Sequence, residues 1–151
     1  MIAAQIAPDV VMQLAHIVHP DRTMNSNKRV LVDLLASLDA ADSTHALIGG
    51  LAAGYYGKQR ATVDVDMLIP RRAAKAVRVE LERRGYEVRA IPDLLRAYRR
   101  GHEEAVADLV CREAHPVLKA AAAQTVPATI LGLPVNLRLR PSGGNALTSL
   151  R

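Results

Sequence analysis

The chain has 151 residues, half of them apolar, with a formal net charge of +5 and a pI near 9.8. This length can bury one hydrophobic core, so we expect one globular domain and exclude two full ones. No apolar run approaches the roughly 20 residues that span a bilayer, so we expect no membrane insertion. The one cysteine excludes an internal disulfide, and no leader pattern opens the chain. We therefore expect a cytoplasmic protein. The basic charge favours an anionic partner such as a nucleotide or RNA.

The first part of the chain predicts two helices. A short helical pattern runs over Asp9–His19 and is ended by Pro20, which lacks the amide that a continuing helix needs. A polar break follows, in which Thr23–Asn27 supplies capping side chains for a second helix that runs through Ala40. The apolar face of this second helix is expected to cover a sheet, and its residues recur at helical spacing: Val30, Leu31, Leu34, Leu35 and Leu38.

The remainder has the pattern of an α/β core, with short apolar runs separated by helical segments. The predicted strands are Ala46–Ile48, Val63–Ile69, Tyr86–Ile91 and Glu104–Cys111, and the predicted helices are Leu51–Tyr56, Pro70–Arg84 and Pro116–Gln124. Asp93–Arg100 is predicted as a basic helical turn or two. Two short apolar segments follow, Ala128–Leu131 and Val135–Leu139. We therefore expect a helical appendage over residues 1–42, a core over 43–139 and a disordered tail over 140–151.

Two carboxylates lie two residues apart in the predicted strand VDVDMLI, at Asp64 and Asp66. Strand side chains alternate between faces, so these two project to the same side while Val63, Val65 and Met67 project to the other. Two like charges in a strand flanked by apolar residues are costly without a cation. Hard oxygen ligands at this separation suit Mg²⁺ or Mn²⁺. A solvated edge strand is the alternative, which the poor strand propensity of Asp disfavours.

Gly49 and Gly50 stand at a predicted junction between a strand and a helix shortly before the two acids. Because glycine has no Cβ, a phosphate can approach the backbone there, and the amides of the following helix can donate to it. An ordinary tight turn is the alternative for the glycine pair taken alone. The loop between glycines and acids adds candidate phosphate contacts, which are Lys58, Arg60 and Thr62.

A third acid is expected because two-metal transfer activates the attacking hydroxyl with one ion and stabilises the leaving group with the other. Asp108 is the best candidate, since it interrupts the apolar strand EAVADLVC as Asp64 and Asp66 interrupt theirs. Glu103 and Glu104 are the nearby rivals. A neighbouring strand would bring Asp108 to the side of the other two acids.

Other polar and reactive residues have simpler interpretations. His16 and His19 have a spacing that fits a metal, but no other ligands accompany them, so an interaction with the helix dipole is favoured. Cys111 is predicted to be a core residue. The arginines near residue 100 form either a solvated face, which is slightly favoured, or a track for RNA; they are Arg96, Arg99 and Arg100.

The order of Gly-Gly, a helix, Asp-x-Asp on a strand and a later Asp resembles the nucleotidyltransferase superfamily of the DNA polymerase β-like fold. The form of residues 49–66 is most similar to the AbiEii-type group, which includes toxin components of toxin–antitoxin pairs. The resemblance covers about Thr44 to Leu137 and implies a small mixed sheet with helices packed on it. It also implies Asp64, Asp66 and Asp108 as metal ligands and catalytic acids, with Mg²⁺ or Mn²⁺ as cofactor.

These features favour a nucleotidyltransferase that moves a nucleotide from a nucleoside triphosphate to a hydroxyl on RNA such as tRNA, on a protein or on a small molecule. The members of the AbiEii-type group continue into further helices after a strand like Leu133–Leu137, whereas this chain does not. The competing hypothesis is therefore an inactive descendant that serves as a binding module, with its N-terminal helices at a homodimer interface or on an antitoxin partner.

Overall fold

A computed structural model describes residues 20–57 and 64–138 of the chain. Seven strands form one mixed sheet in the order β3-β4-β5-β2-β1-β7-β6. Their bounds are β1 Ala46–Ile48, β2 Asp64–Ile69, β3 Tyr86–Ile91, β4 Leu94–Arg99, β5 His102–Cys111, β6 Thr125–Ile130 and β7 Leu133–Arg138. The predicted α/β class with a small mixed sheet is confirmed.

Four α-helices connect and cover these strands in the described ranges. They are α1 Pro20–Ala40, α2 Gly49–Tyr55, α3 Ala74–Arg83 and α4 Pro116–Ala122. Two short 3₁₀ helices, Arg71–Ala73 and Arg112–Ala114, precede α3 and α4. The predicted helix over residues 70–84 therefore exists, with a tighter first turn than an α-helix.

Helix α1 begins earlier than the sequence predicted. It starts at Pro20, which fits the first turn of a helix because the missing amide would be unpaired there. The polar segment Thr23–Asn27 lies inside this helix, so the predicted break is wrong; Ser26 and Asn27 are buried. The helix predicted over residues 9–19 and the tail from residue 140 lie outside the described residues, and the division at residue 42 stays a prediction.

The main hydrophobic core lies between one face of the sheet and helices α1 and α3. Leu31, Leu34 and Leu38 of α1 pack with Val77 and Leu81 of α3, and all five are at most 1% exposed. The strands contribute the side chains of their alternate positions: Leu47, Val65, Met67, Ala107 and Leu109. The apolar face predicted for the second helix is confirmed.

The segment after β3 is a strand, so the predicted basic helix over residues 93–100 is wrong. Strands β3 and β4 form an antiparallel hairpin in which Ile91 pairs with Leu94. Asp93 has a φ of 65° in the turn between them. In β4, Leu95 and Ala97 are buried and their neighbours are less so. Pairing with β3 and β5 on both edges outweighs the local helical spacing.

Among the residues that the structure describes, α4 packs on part of the other face of the sheet. Ala46 and Leu68 are buried there, and Leu118 and Ala122 of α4 pack against them. These contacts lie toward the end of β2, whereas the acids of β2 lie at its start. In the described part of the chain, no helix is long and apolar enough to cross a membrane.

Candidate active site

Asp66 lies at the centre of a row of paired residues that crosses the sheet. It pairs with Asp108 of the parallel strand β5 and with Ile48 of the antiparallel strand β1. Residues that pair across neighbouring strands project to the same face. Asp64 is two residues away on β2 and shares this face. The fold therefore brings together the three acids that the sequence singled out.

Gly49 directly adjoins the carboxyl group of Asp66. It follows the last residue of β1, where the backbone turns into α2 with a φ of 74°. A Cβ at this position would lie 2.8 Å from Cγ and 2.9 Å from Cβ of Asp66. Only glycine allows both the backbone conformation and the close approach. Gly50 is the second residue of the short helix α2.

Burial and repulsion between carboxylates disfavour the charged forms of Asp64 and Asp66. Burial, followed by the charges of Asp108 and Asp64, raises the pKa of Asp66 to about 6. Burial and the charge of Asp108 also raise the pKa of Asp64, while Arg96 opposes both shifts. Carboxylates that raise one another's pKa in a partly buried cluster are candidates for a functional site.

Arg96 of β4 contacts two of the three acids. It pairs in register with Asp108, and its Nε and Nη2 atoms donate hydrogen bonds of 2.7 Å and 2.8 Å to the two carboxylate oxygens. Its Nη2 atom also lies 3.7 Å from Oδ2 of Asp64. The bond to Asp108 raises the pKa of the Arg96 guanidinium. Arg96, for which a solvated face was slightly favoured, keeps 37% of its side chain exposed and is at the same time a partner of the acids.

The donor chemistry of the site fits a hard divalent cation, because Asp64, Asp66 and Asp108 offer only carboxylate oxygens. The positions of the side chains fit a metal ion less well than their chemistry does. Within residues 20–57 and 64–138, no three Asp, Glu, His or Cys side chains are grouped closely enough to hold a metal ion. Both oxygens of Asp108 accept hydrogen bonds from the Arg96 guanidinium.

The remaining predicted phosphate contacts cannot be placed. Lys58, Arg60 and Thr62 lie outside the described residues, as do His16 and His19. Cys111 is buried, as predicted, and burial raises the pKa of its thiol.

Two arginines near the site were not identified from the sequence. Arg96 belongs to a basic segment that resembles a solvated surface, and only the register of β4 with β5 reveals its partner. Arg138 follows Leu137, which pairs with Leu47, so it lies beside the end of β1. It is 5% exposed, and its Nη1 atom has no hydrogen-bond partner among the described residues. Neither register leaves a local signal in the sequence.

Comparison of the structure with known proteins identifies similar folds. The antibiotic-resistance factor ANT(2'')-Ia, an aminoglycoside nucleotidyltransferase, matches in its solution structure with a TM-score of 0.55 and 17% identity, over 73% of this chain and 63% of that one. Its crystal structure in complex with adenylyl-2''-tobramycin matches with a TM-score of 0.55 and 20% identity, over 74% of this chain and 70% of that one. The chain has a nucleotidyltransferase-like fold.

The match does not extend over the whole of the known protein. The chain spans 63% of the length of ANT(2'')-Ia in the solution structure. No protein-family model and no curated protein matches the sequence. At this level of identity the likeness establishes the fold alone. An activity has to follow from the chemistry of the site, which here is the acids of β2 and β5.

Proposed function

We propose that the protein is a metal-dependent nucleotidyltransferase that moves a nucleotide from a nucleoside triphosphate to a hydroxyl acceptor. The observation that carries the proposal is the placement of Asp64, Asp66 and Asp108 on one face of the sheet beside Gly49. The likeness to ANT(2'')-Ia supports it, because the same fold carries nucleotide transfer in that protein.

Each residue of the site has a distinct role in this proposal. Asp64, Asp66 and Asp108 hold Mg²⁺ or Mn²⁺ through their carboxylate oxygens. Gly49 lets the backbone approach the carboxyl group of Asp66, and Gly49 and Gly50 are proposed to bind the triphosphate through the backbone at the start of α2. Lys58, Arg60 and Thr62, on the segment outside the described residues, are proposed as further contacts to the phosphates.

The proposed reaction is a direct displacement at the α-phosphorus. The acceptor oxygen forms a bond to this phosphorus, the bond to the β-phosphate oxygen breaks, and pyrophosphate leaves. Asp108 takes the proton of the acceptor hydroxyl, since it faces the metal-holding acid Asp66 across one strand pair. The bound cation supplies charge neutralisation at the phosphates.

A small molecule is the acceptor class that we favour. ANT(2'')-Ia is known with the adenylylated aminoglycoside adenylyl-2''-tobramycin. Of the acids, Asp64 keeps 29% of its side chain exposed. The resemblance of residues 49–66 to the AbiEii-type group supports a different acceptor, RNA or protein, and a role beside an antitoxin. Transfer to a small molecule and transfer to RNA or protein are separate outcomes of the labelling experiment.

The activity is tested by following label from each α-³²P nucleoside triphosphate into acceptors. Wild-type protein is incubated with Mg²⁺ and, in separate reactions, with a panel of aminoglycosides, tRNA and protein; transfer to one class identifies the acceptor. Nucleotide affinity is measured in parallel by calorimetry with and without Mg²⁺. Asp64→Ala and Asp66→Ala should abolish Mg²⁺-dependent binding while the fold is retained.

Glu87→Gln is the matched control, because Glu87 is an exposed strand acid that pairs with Arg89 away from the site. It should bind nucleotide as the wild type does. Wild-type affinity in Asp64→Ala or Asp66→Ala would remove the basis of the proposal. It would favour instead an inactive module that acts by binding a partner.

A further inference from the structure

Arg96 is the cation that the acidic site already contains. It makes two charge-assisted hydrogen bonds to Asp108, whose side chain is only 11% exposed. Bidentate pairs of this kind are the strong ones among ion pairs. Both oxygens of Asp108 are therefore engaged before any ligand enters, and the guanidinium also lies near Asp64.

One guanidinium cannot satisfy three carboxylates. Its two short bonds go to Asp108, while its Nη2 atom lies 3.7 Å from Oδ2 of Asp64. A divalent cation that bridges all three acids would meet the positive charge of Arg96 at Asp108. Two cations at one carboxylate repel each other, and the repulsion is strong where water is partly excluded.

Arg96 is partly open to solvent. Its side chain is 37% exposed, in contrast to that of Asp108. It belongs to β4, one strand beyond the strand pair that carries the acids. The long side chain can turn toward solvent or toward a bound phosphate without displacing the backbone.

From this geometry we propose that Arg96 is a resident counter-ion that competes with the divalent cation for Asp108. In the absence of metal it holds Asp108 and stabilises the acidic face. Metal binding requires its release from that carboxylate. The inference rests on the proposed function, because it assumes that the three acids hold a metal.

The competition is tested by titrating full-length protein with MnCl₂ and measuring free Mn²⁺ by electron paramagnetic resonance, without nucleotide. Arg96→Gln should bind Mn²⁺ at least about tenfold more tightly than the wild type does. This factor corresponds to the free energy of one hydrogen bond to a charged group, which the metal no longer has to break. Arg96→Lys keeps the charge but loses the bidentate contact, so its affinity should lie between the two. Arg96→Gln should also melt at a lower temperature without metal, with a smaller difference at saturating Mn²⁺.

Two controls separate competition at Asp108 from a general loss of positive charge. Arg89 pairs with Arg96 across β3 and β4 and is 64% exposed, bound to Glu87. Arg89→Gln should change the Mn²⁺ affinity less than about twofold, since an exposed charge is screened. In an Asp108→Asn background, Arg96→Gln should have a much smaller effect, because the contested carboxylate is gone and only the 3.7 Å approach to Asp64 remains.

The outcomes distinguish this inference from the proposed function. One outcome is that the wild type binds Mn²⁺ while Arg96→Gln binds it no more tightly, or gains no more affinity than Arg89→Gln does. That result overturns the competition and leaves the metal site intact. Equal affinities of wild type and Arg96→Lys also overturn it. If neither wild type nor Arg96→Gln binds Mn²⁺, both proposals fail. Binding by Arg96→Gln alone supports both.

Discussion

Gly49 and Asp66 are in such close contact that the glycine has no room for a side chain. A Cβ on Gly49 would approach Cγ of Asp66 to 2.8 Å, and the φ of 74° disfavours any other residue. Gly49 follows β1 and Asp66 lies on β2, and the two are brought together by the pairing of Ile48 with Asp66. The end of β1 therefore fixes how the acid of β2 is presented.

Gly49→Ala is predicted to damage the site more than the fold. The backbone strain costs about 1–2 kcal/mol, and the methyl group displaces the Asp66 carboxyl group, so Mn²⁺ affinity should fall about tenfold or more. Gly54→Ala is the matched control: Gly54 lies in the same helix with nothing within 4 Å of its Cβ position. It should retain metal affinity and gain up to about 1 kcal/mol. Equal metal affinity in the two variants would contradict the role of Gly49.

The raised pKa of Asp66 predicts that the metal-free protein loses stability as the pH rises. Because the folded state holds the proton up to a pKa of about 6, it binds more protons than the unfolded state between pH 4 and 6, and stability declines across this window. Asp66→Asn removes this penalty. Without metal at pH 7.5 it should melt higher than wild type by about 2–4 °C, the shift for about 1 kcal/mol in a domain of this size.

The same pair of proteins should melt at nearly the same temperature at pH 4, since Asp66 is then protonated in the folded wild type. Saturating Mn²⁺ should reverse the order at pH 7.5, because only the wild type gains from the ion. Glu87→Gln again controls for the loss of one carboxylate. A wild type that is more stable than Asp66→Asn at pH 7.5 without metal would contradict the repulsion among the acids.

The sequence predicted the candidate acids because their chemistry conflicts with their surroundings. Asp64, Asp66 and Asp108 interrupt apolar strands, and the alternation of side chains places the first two on one face. The pairing of Asp66 with Asp108 was not derivable, because it depends on a parallel register between strands that are far apart in the chain. The sequence predicted that a neighbouring strand carries Asp108, but not the register of that strand with β2.

The main errors of prediction also arise from contacts between distant segments. The spacing of Leu94, Leu95 and Tyr98 favours a helix locally, but two neighbouring strands make the segment β4. The same change turns Arg96 from a surface charge into the partner of Asp108. In helix α1, tertiary packing buries Ser26 and Asn27, which the sequence assigns to a break. Local propensity is a weak guide where packing opposes it.

Asp108→Asn is predicted to separate binding from turnover. Asp64 and Asp66 remain to hold metal and nucleotide, so the nucleotide affinity at saturating metal should change by only a few-fold. Loss of the proton acceptor should lower kcat by about 10²–10⁴. Single-turnover transfer of labelled nucleotide to the identified acceptor measures this step directly. Turnover within a few-fold of wild type would exclude Asp108 as the base and leave the two acids of β2 as the functional pair.

Tyr86→Phe is predicted to destabilise the fold without affecting the site. The Tyr86 hydroxyl donates a buried hydrogen bond of 2.9 Å to Asp33 of α1, and burial together with this bond raises the pKa of the tyrosine. Asp33 keeps a bond from Arg29, so the loss should be about 1.5–3 kcal/mol, the range for a hydrogen bond to a charged group. Urea unfolding measures this loss of stability. The dependence of the free energy of unfolding on urea concentration should stay unchanged if the folded and unfolded states keep their compactness.

The control for Tyr86→Phe is Tyr55→Phe, because the side chain of Tyr55 is 51% exposed and its hydroxyl has no comparable burial. Tyr55→Phe should change the free energy of unfolding by less than about 0.5 kcal/mol. Tyr86 belongs to the core on the helix-covered face of the sheet, opposite the acids, so Mn²⁺ affinity should be the same in both variants. A loss of stability no larger than that of Tyr55→Phe would show that the bond between α1 and β3 contributes little. A loss of Mn²⁺ affinity in Tyr86→Phe alone would show instead that the packing of α1 is coupled through the sheet to the acidic face.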